Sequence, residues 1–210
     1  MGIDNWQKVL VVSPHTDDGE LSCGGTMARL VAEGREVHYL VLSSKYVVDE
    51  SRFKPETPRD EMHEAMKVLG VTQIHVRDIP VRHFSTHRQD ILQCLWDFNA
   101  KHKPDAVFCP SLRDLHQDHN AVAHEAMRAF KKTNIFGYEQ PWNTHVFSTE
   151  CFVRLEAEHI DKKIAALRCY ASQADRTYLQ EEVIRGWART RGVQIGCEYA
   201  ECFEIPRLVI

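Results

Sequence analysis

The chain has 210 residues, 43% hydrophobic and 27% charged, which suits one well-buried soluble domain and leaves too little for two. A net charge of −4 with no local Lys/Arg cluster excludes the electrostatic footprint of a nucleic-acid binder. No apolar run approaches the about 18 residues of a membrane span, so a transmembrane protein is excluded too.

Residues 1–6 carry neither the basic nor the apolar segment of a signal peptide. Gly2 invites acylation, but Trp6 stands where Ser or Thr is needed. The cysteines (Cys23, Cys94, Cys109, Cys151, Cys169, Cys197 and Cys202) are odd in number and form no C-x-x-C pair. Such usage indicates reduced, buried thiols and a cytoplasmic location.

Residues 9–12 form an apolar run that reads as a buried strand. A helix is expected over 24–33, stopped by Gly34, and a strand over 37–42. Residues 59–69 read as a helix ended by Gly70, with a short strand at 74–76. Helix 89–101, strand 105–110 and a helix over about 116–132 complete the regular part. Repeated strand–helix–strand units predict a Rossmann-like α/β fold, with a mostly parallel sheet and helices on both faces. The last third is less regular, with strands at 135–138, 151–155 and 202–205 and helices at about 160–170 and 181–189. No linker interrupts the chain, so residues 1–210 read as a single domain. The longest unpatterned connection, 45–58, is of the kind that carries function beside an active site.

The first strand leads into Ser13-Pro14-His15-Thr16-Asp17-Asp18-Gly19-Glu20, read as a loop. Strand 105–110 leads into Asp114-Leu115-His116-Gln117-Asp118-His119. In open α/β sheets ligands bind at the carboxyl ends of strands, so these two segments predict one metal site built from both halves of the fold. His15, Asp18 and His119 supply two imidazoles and a carboxylate, leaving an open position for water. If Asp18 is a ligand, its neighbour Asp17 faces the bound water as a carboxylate base, the arrangement amide hydrolysis needs. His116 and His119, three apart, share a helix face that continues through Val122, Ala123, Ala126, Met127 and Phe130, which turns His119 inward. Taken singly, each motif has a bland reading as a cap, a turn or a pair of solvated histidines. Gly24-Gly25 is better explained by close helix–strand packing than by a phosphate cradle, since no G-x-G-x-x-G or Walker motif surrounds it.

Pro14-His15-Thr16-Asp17-Asp18 with Cys23-Gly24-Gly25-Thr26, and His116-Gln117-Asp118-His119 beyond them, resemble the LmbE-like, PIG-L family of zinc-dependent de-N-acetylases. The similarity runs through most of the chain. Arg59 and Glu61 ahead of Leu69-Gly70 resemble the family's arginine-bearing helix, and Lys162 to Leu167 with Tyr170 and Ser172-Gln173 its late helix. The resemblance implies zinc (Zn2+) held by His15, Asp18 and His119, with Asp17 as general base. It further implies that His116 stabilises the oxyanion or protonates the leaving amine, and that Arg59 contacts the substrate, an N-acetylated amino sugar or glycoconjugate. Two departures stand out. Gly19 occupies the place where the family commonly has Glu, with Glu20 one position later, and Leu115 replaces an Arg found in some members.

Selecting a sugar takes side chains that hydrogen-bond hydroxyls. Trp142-Asn143-Thr144-His145 offers an aromatic face and several donors, so Trp142 and His145 join Arg59 as expected substrate contacts. The chain is expected to be a homo-oligomer, with the tryptophan loop reaching a neighbouring subunit's site. Two other readings stay open at this point: an iron enzyme with a two-histidine, one-carboxylate triad, and a non-catalytic sugar- or nucleotide-binding module.

Overall fold

The computed structural model describes residues 6–45, 49 and 51–209. The reading of residues 1–5, and part of that of loop 45–58 (residues 46–48 and 50), lies outside the described residues. Among the described residues seven strands are present: β1 (Lys8–Ser13), β2 (Glu36–Val41), β3 (Gln73–Val76), β4 (Ala106–Pro110), β5 (Asn134–Tyr138), β6 (Cys151–Leu155) and β7 (Tyr199–Arg207). The helices are α1 (Asp18–Ala32), α2 (Thr57–Leu69), α3 (Arg88–His102), α4 (Gln117–Ala129), α5 (Ala157–Leu167) and α6 (Glu181–Gln194).

The strands form one sheet in the order β3-β2-β1-β4-β5-β7-β6. The first five are parallel, and β7 runs antiparallel to both β5 and β6. Alternate residues of β1 feed opposite layers. Val9 and Val11 pack with Met27, Met62 and Ile160 from α1, α2 and α5, whereas Leu10 and Val12 pack with Ile91, Leu95 and Val122 from α3 and α4. A strand covered on both faces has to be apolar at every position, which is why 9–12 is unbroken. Among the described residues no helix is long and apolar enough to cross a membrane.

Helix boundaries follow local chemistry. Pro58 lies in the first turn of α2, and Gly70 ends it in the left-handed region at φ 79°. α5 opens on a capping box in which the Glu156 backbone N–H donates to His159 Nδ1 at 3.0 Å.

One expected boundary is corrected. α1 begins at Asp18, six residues before the expected start, and kinks at Cys23 (φ −134°, ψ 26°). The glycines that looked like a helix start lie inside it: a Cβ on Gly25 would come within 2.6 Å of Leu155 Cδ1. Close approach to β6 therefore dictates Gly25, whereas a Cβ on Gly24 would lie 3.0 Å from Lys163 Cγ of α5. Asp17 and Asp18, expected on a loop, are the N-cap and first residue of α1.

β1 connects outward to β2 and β3, whereas β4 lies on its other side and leads to β5. The chain thus reverses its progress across the sheet between β1 and β4, which pair directly from Val9↔Ala106 to Val11↔Phe108. A crevice opens at the carboxyl ends of such a pair.

Candidate active site

The turn after β1 is held by its own side chains. Ser13 Oγ donates to the His15 carbonyl at 2.5 Å and accepts the Gly19 N–H at 2.9 Å. The His15 N–H donates to Asp18 Oδ2 at 2.9 Å. Across the crevice, the His116 N–H donates to Asp114 Oδ1 at 2.8 Å, and His116 caps α4 by accepting the Asp118 N–H at Nδ1, 3.2 Å. Two tight turns thus aim their imidazoles and carboxylates at one point.

Asp18 Oδ2 lies 3.0 Å from His15 Nδ1 and 3.2 Å from His119 Nε2. Ligand atoms about 2.0–2.1 Å from a tetrahedral metal are separated by about 3.3 Å, so both separations are close to an edge of such a site. The far nitrogen of each imidazole faces a carboxylate: His15 Nε2 is 3.0 Å from Asp118 Oδ2, and His119 Nδ1 is 2.8 Å from Asp114 Oδ2. Asp18 Oδ1 accepts from Gln140 Nε2 at 2.9 Å. Carboxylates behind histidines fix the ring orientation and raise ligand basicity, as metal sites require. The donor set fits a divalent ion of zinc type. His116 also offers a nitrogen nearby: one ligand atom each from His15, His116 and His119 lie within 4.8 Å of one another.

Electrostatics agree with a site made for a cation. Burial opposes a charge on His15 and on His119, but Asp18 and the surrounding hydrogen bonds raise the first to about 9 and the second to about 10. Burial likewise opposes ionisation of Asp18, and the two imidazoles overcome it and hold the carboxyl well below the usual range. Burial, with Asp18 beside it, pushes Asp17 up to about 6. Burial, together with His119 and His15, lowers His116.

Asp17 occupies the N-cap position of α1, yet its side chain makes no capping hydrogen bond; the carboxylate lines the crevice instead. That distinguishes it from an ordinary cap. The His116 ring accepts at Nδ1 from a backbone N–H, which leaves Nε2 as the N–H donor of the neutral ring.

The cavity, about 370 Å³, is walled by His15, Asp17, Asp18, His116 and His119 and, beyond them, by Arg82, Gln140, Trp142, Asn143, Arg176 and Tyr178. Trp142 is therefore at the site, stacked on Tyr178 with ring centroids 4.3 Å apart and planes at 13°. Both belong to the same chain as the cavity. Arg59 and His145 are exposed, and neither lines it. The inward positions of α2 are Pro58, Glu61, Met62, Ala65, Met66 and Leu69, and Arg59 falls between them on the solvent side. Glu61 instead receives Ser172, at 2.8 Å from N and 2.5 Å from Oγ.

Arg82 was not anticipated. Its φ of 68° is outside the region that non-glycine residues prefer, and its N–H donates to Asp118 Oδ2 at 2.6 Å. One residue thus supports the carboxylate behind His15 and lines the cavity. No sequence signal marks a non-glycine left-handed residue, and Arg176, Gln140 and Tyr178 lie in segments without periodicity.

The place of Gly19 is explained by packing. A Cβ there would lie 2.6 Å from Tyr39 Cε2. Glu20 points into the protein, accepting from Tyr39 Oη at 2.5 Å and from Tyr170 Oη. Burial pushes its carboxyl up to about 8 against those hydrogen bonds.

Fold and site together define an α/β protein with an imidazole–carboxylate centre at its topological switch point. The family model described as GlcNAc-PI de-N-acetylase (PIG-L) matches residues 10–130, more than half of the chain, and the chain belongs to that family. It is 29% identical over 178 residues to the uncharacterized deacetylase YaiS of Escherichia coli, covering 78% of this chain and 90% of that one. Among solved structures, the conserved protein TT1542 of Thermus thermophilus superposes with a TM-score of 0.80 at 30% identity, covering 96% and 95% of the two chains. The N,N'-diacetylchitobiose deacetylase of Pyrococcus horikoshii, complexed with its inhibitor, gives 0.77 at 27% identity, covering 96% of this chain and 84% of that one. GalB, the 4-carboxy-2-hydroxymuconate hydratase of Pseudomonas putida, gives 0.77 at 25%, covering 97% and 98%.

Proposed function

We propose that the chain is a metal-dependent de-N-acetylase that uses zinc to hydrolyse the N-acetyl amide of an amino sugar or its conjugate. The observation that carries this reading is the convergence of His15 Nδ1, Asp18 Oδ2 and His119 Nε2, with the uncapped carboxylate of Asp17 beside them. Family membership and the deacetylases among its relatives support amide hydrolysis over oxygen chemistry at the same triad, and over a binding role without catalysis.

His15, Asp18 and His119 would hold the ion, which when bound supplies a Lewis acid and an acidified water. Asp17 takes the proton of the water that attacks the acetyl carbon. His116 donates its Nε2–H to the carbonyl oxygen as negative charge develops there. The C–N bond breaks as the nitrogen receives the proton from Asp17, releasing acetate and free amine. Trp142 and Tyr178 offer aromatic faces to the sugar ring, and Arg82 and Arg176 offer donors to its hydroxyl or anionic substituents.

Zinc-loaded protein is to be incubated with a panel of N-acetylated amino sugars and conjugates, and free amine and acetate measured. Equal release of the two by the wild-type chain, and release about 10²–10⁴-fold slower by Asp17→Asn, is the expected result. Hydration of an unsaturated carboxylate with no amine released from any member would replace this reading with the hydratase chemistry of GalB.

A further inference from the structure

The two oxygens of Asp18 have different partners. Oδ2 faces His15 Nδ1 at 3.0 Å and His119 Nε2 at 3.2 Å, and accepts the His15 N–H at 2.9 Å. Oδ1 accepts from Gln140 Nε2 at 2.9 Å, across 122 positions of sequence. Gln140 follows β5 by two residues and is buried in the cavity wall, 2% exposed. A carboxylate only accepts, so the nitrogen end of the amide faces Asp18. The oxygen end is occupied as well, since Gln140 Oε1 accepts from Asn143 Nδ2 at 3.1 Å.

The backbone around this amide is fastened on both sides. The Gln140 carbonyl accepts the N–H groups of Asn143 and Thr144, both at 2.9 Å. The Asn143 carbonyl accepts the Leu115 N–H at 3.1 Å, next to His116. One residue before Gln140, the buried Glu139 accepts from Trp187 Nε1 at 2.9 Å and from the Arg191 guanidinium, both on α6. Gln140 therefore holds a fixed donor against one chosen oxygen of Asp18.

We infer that Gln140 is a positioning residue that keeps Asp18 a one-oxygen ligand. The inference rests on the reading above, in which His15, Asp18 and His119 hold a divalent ion. A carboxylate can offer a metal one oxygen or both. A second oxygen from Asp18 would take the position that the attacking water needs. Without the amide, Oδ1 is a buried acceptor short of a donor, and a bound cation is what it turns to. A neutral amide suits the task better than Lys or Arg. It satisfies Oδ1 without bringing a positive charge, so the carboxylate's charge is left for the ion.

The test reads the metal itself. Zinc affinity is measured by chelator competition, and cobalt(II) replaces zinc to report geometry, because its visible bands are intense in a tetrahedral field and weaken as coordination rises. Gln140→Leu keeps most of the bulk and loses the donor. It should lower zinc affinity about 10–100-fold and weaken the cobalt bands. Asn143→Ala removes the donor to Oε1 and leaves Nε2 against Asp18, so it should leave both readouts near wild type. Gln140→Asn, with its amide one methylene short of Asp18, should shift the bands as Gln140→Leu does and serves in its place if that variant does not fold. Cobalt bands unchanged by loss of the Gln140 donor, whatever the affinity, overturn the assignment. Equal weakening in Asn143→Ala overturns it too, since the effect would then come from the turn. These outcomes concern Gln140 alone; a wild-type chain that binds neither ion would overturn the metal reading along with it.

Discussion

Asp118 Oδ2 and His15 Nε2 meet at 3.0 Å across 103 positions of sequence, joining the turn after β1 to the helix after β4. The same oxygen accepts the Arg82 N–H, so one carboxylate fixes both a ring and the loop that lines the cavity. Asp118→Asn should lower zinc affinity by about 10–100-fold, whereas His119→Ala should abolish binding. Competition with a fluorescent chelator measures both; equal effects would place Asp118 among the ligands.

Asp17→Asn preserves shape and cannot accept a proton. Turnover should fall by about 10²–10⁴-fold with zinc content unchanged. Loss of zinc on this substitution, but not on Asp18→Asn, would exchange the two roles. The proposed base works ionised, so kcat/KM should decline as pH falls through its pKa. Asp17 stands at about 6 without a metal, and a neighbouring divalent cation lowers it, so the acid limb belongs at or below about 6. A limb well above that pH would point to another group.

In the proposed mechanism His116 donates its N–H to the developing oxyanion, so its removal should act on turnover. His116→Ala is expected to cut kcat about 10²–10³-fold, with KM and metal content near their wild-type values. A change in KM alone would make it a binding residue; loss of metal would make it a ligand alongside His15 and His119.

Glu20 makes stability depend on pH in a specific direction. Its folded pKa of about 8 lies above the ordinary 4.5, so the native state binds the extra proton between those values. Stability therefore falls as pH rises through that window. Glu20→Gln lacks this term, and the difference in Tm, variant minus wild type, should grow steadily from pH 5 to pH 8. A difference independent of pH would show Glu20 ionised throughout.

The substrate wall is the place where sequence expectation and structure part. Arg82→Ala should raise KM for amino-sugar substrates at least several-fold, and Arg59→Ala should leave both constants within about twofold. Kinetics on the two variants check this directly; a reversed pattern would return Arg59 to the site.

The difference has physical roots. That His15, Asp17, Asp18, His116 and His119 share one crevice was legible because the segments carrying them follow the apolar strands β1 and β4, and a parallel sheet brings such ends together. The start of α1 was not legible: Gly19, Gly24 and Gly25 depress helix propensity, and only packing against Tyr39, Lys163 and Leu155 explains them. Arg82 owes its place to a strained backbone held by Asp118, a long-range bond with no local pattern. The placement of β7 between β5 and β6, antiparallel to both, likewise depends on pairing that no single strand encodes.

The ring of Tyr39 under Gly19 has a consequence for how this chain can vary. Space that a side chain at 19 would need is already filled by tyrosine, and the same hydroxyl helps hold Glu20. Positions 19, 20 and 39 therefore form one heritable unit. A lone Gly19→Glu change would collide before it could contribute a carboxylate, whereas Tyr39→Ala would first open the room and leave Glu20 short of a donor. A change from this spelling of the motif to the one with Glu after the aspartate pair therefore has to move the Tyr39 ring, and Val11 Cγ1 beside it at 3.0 Å, out of the way.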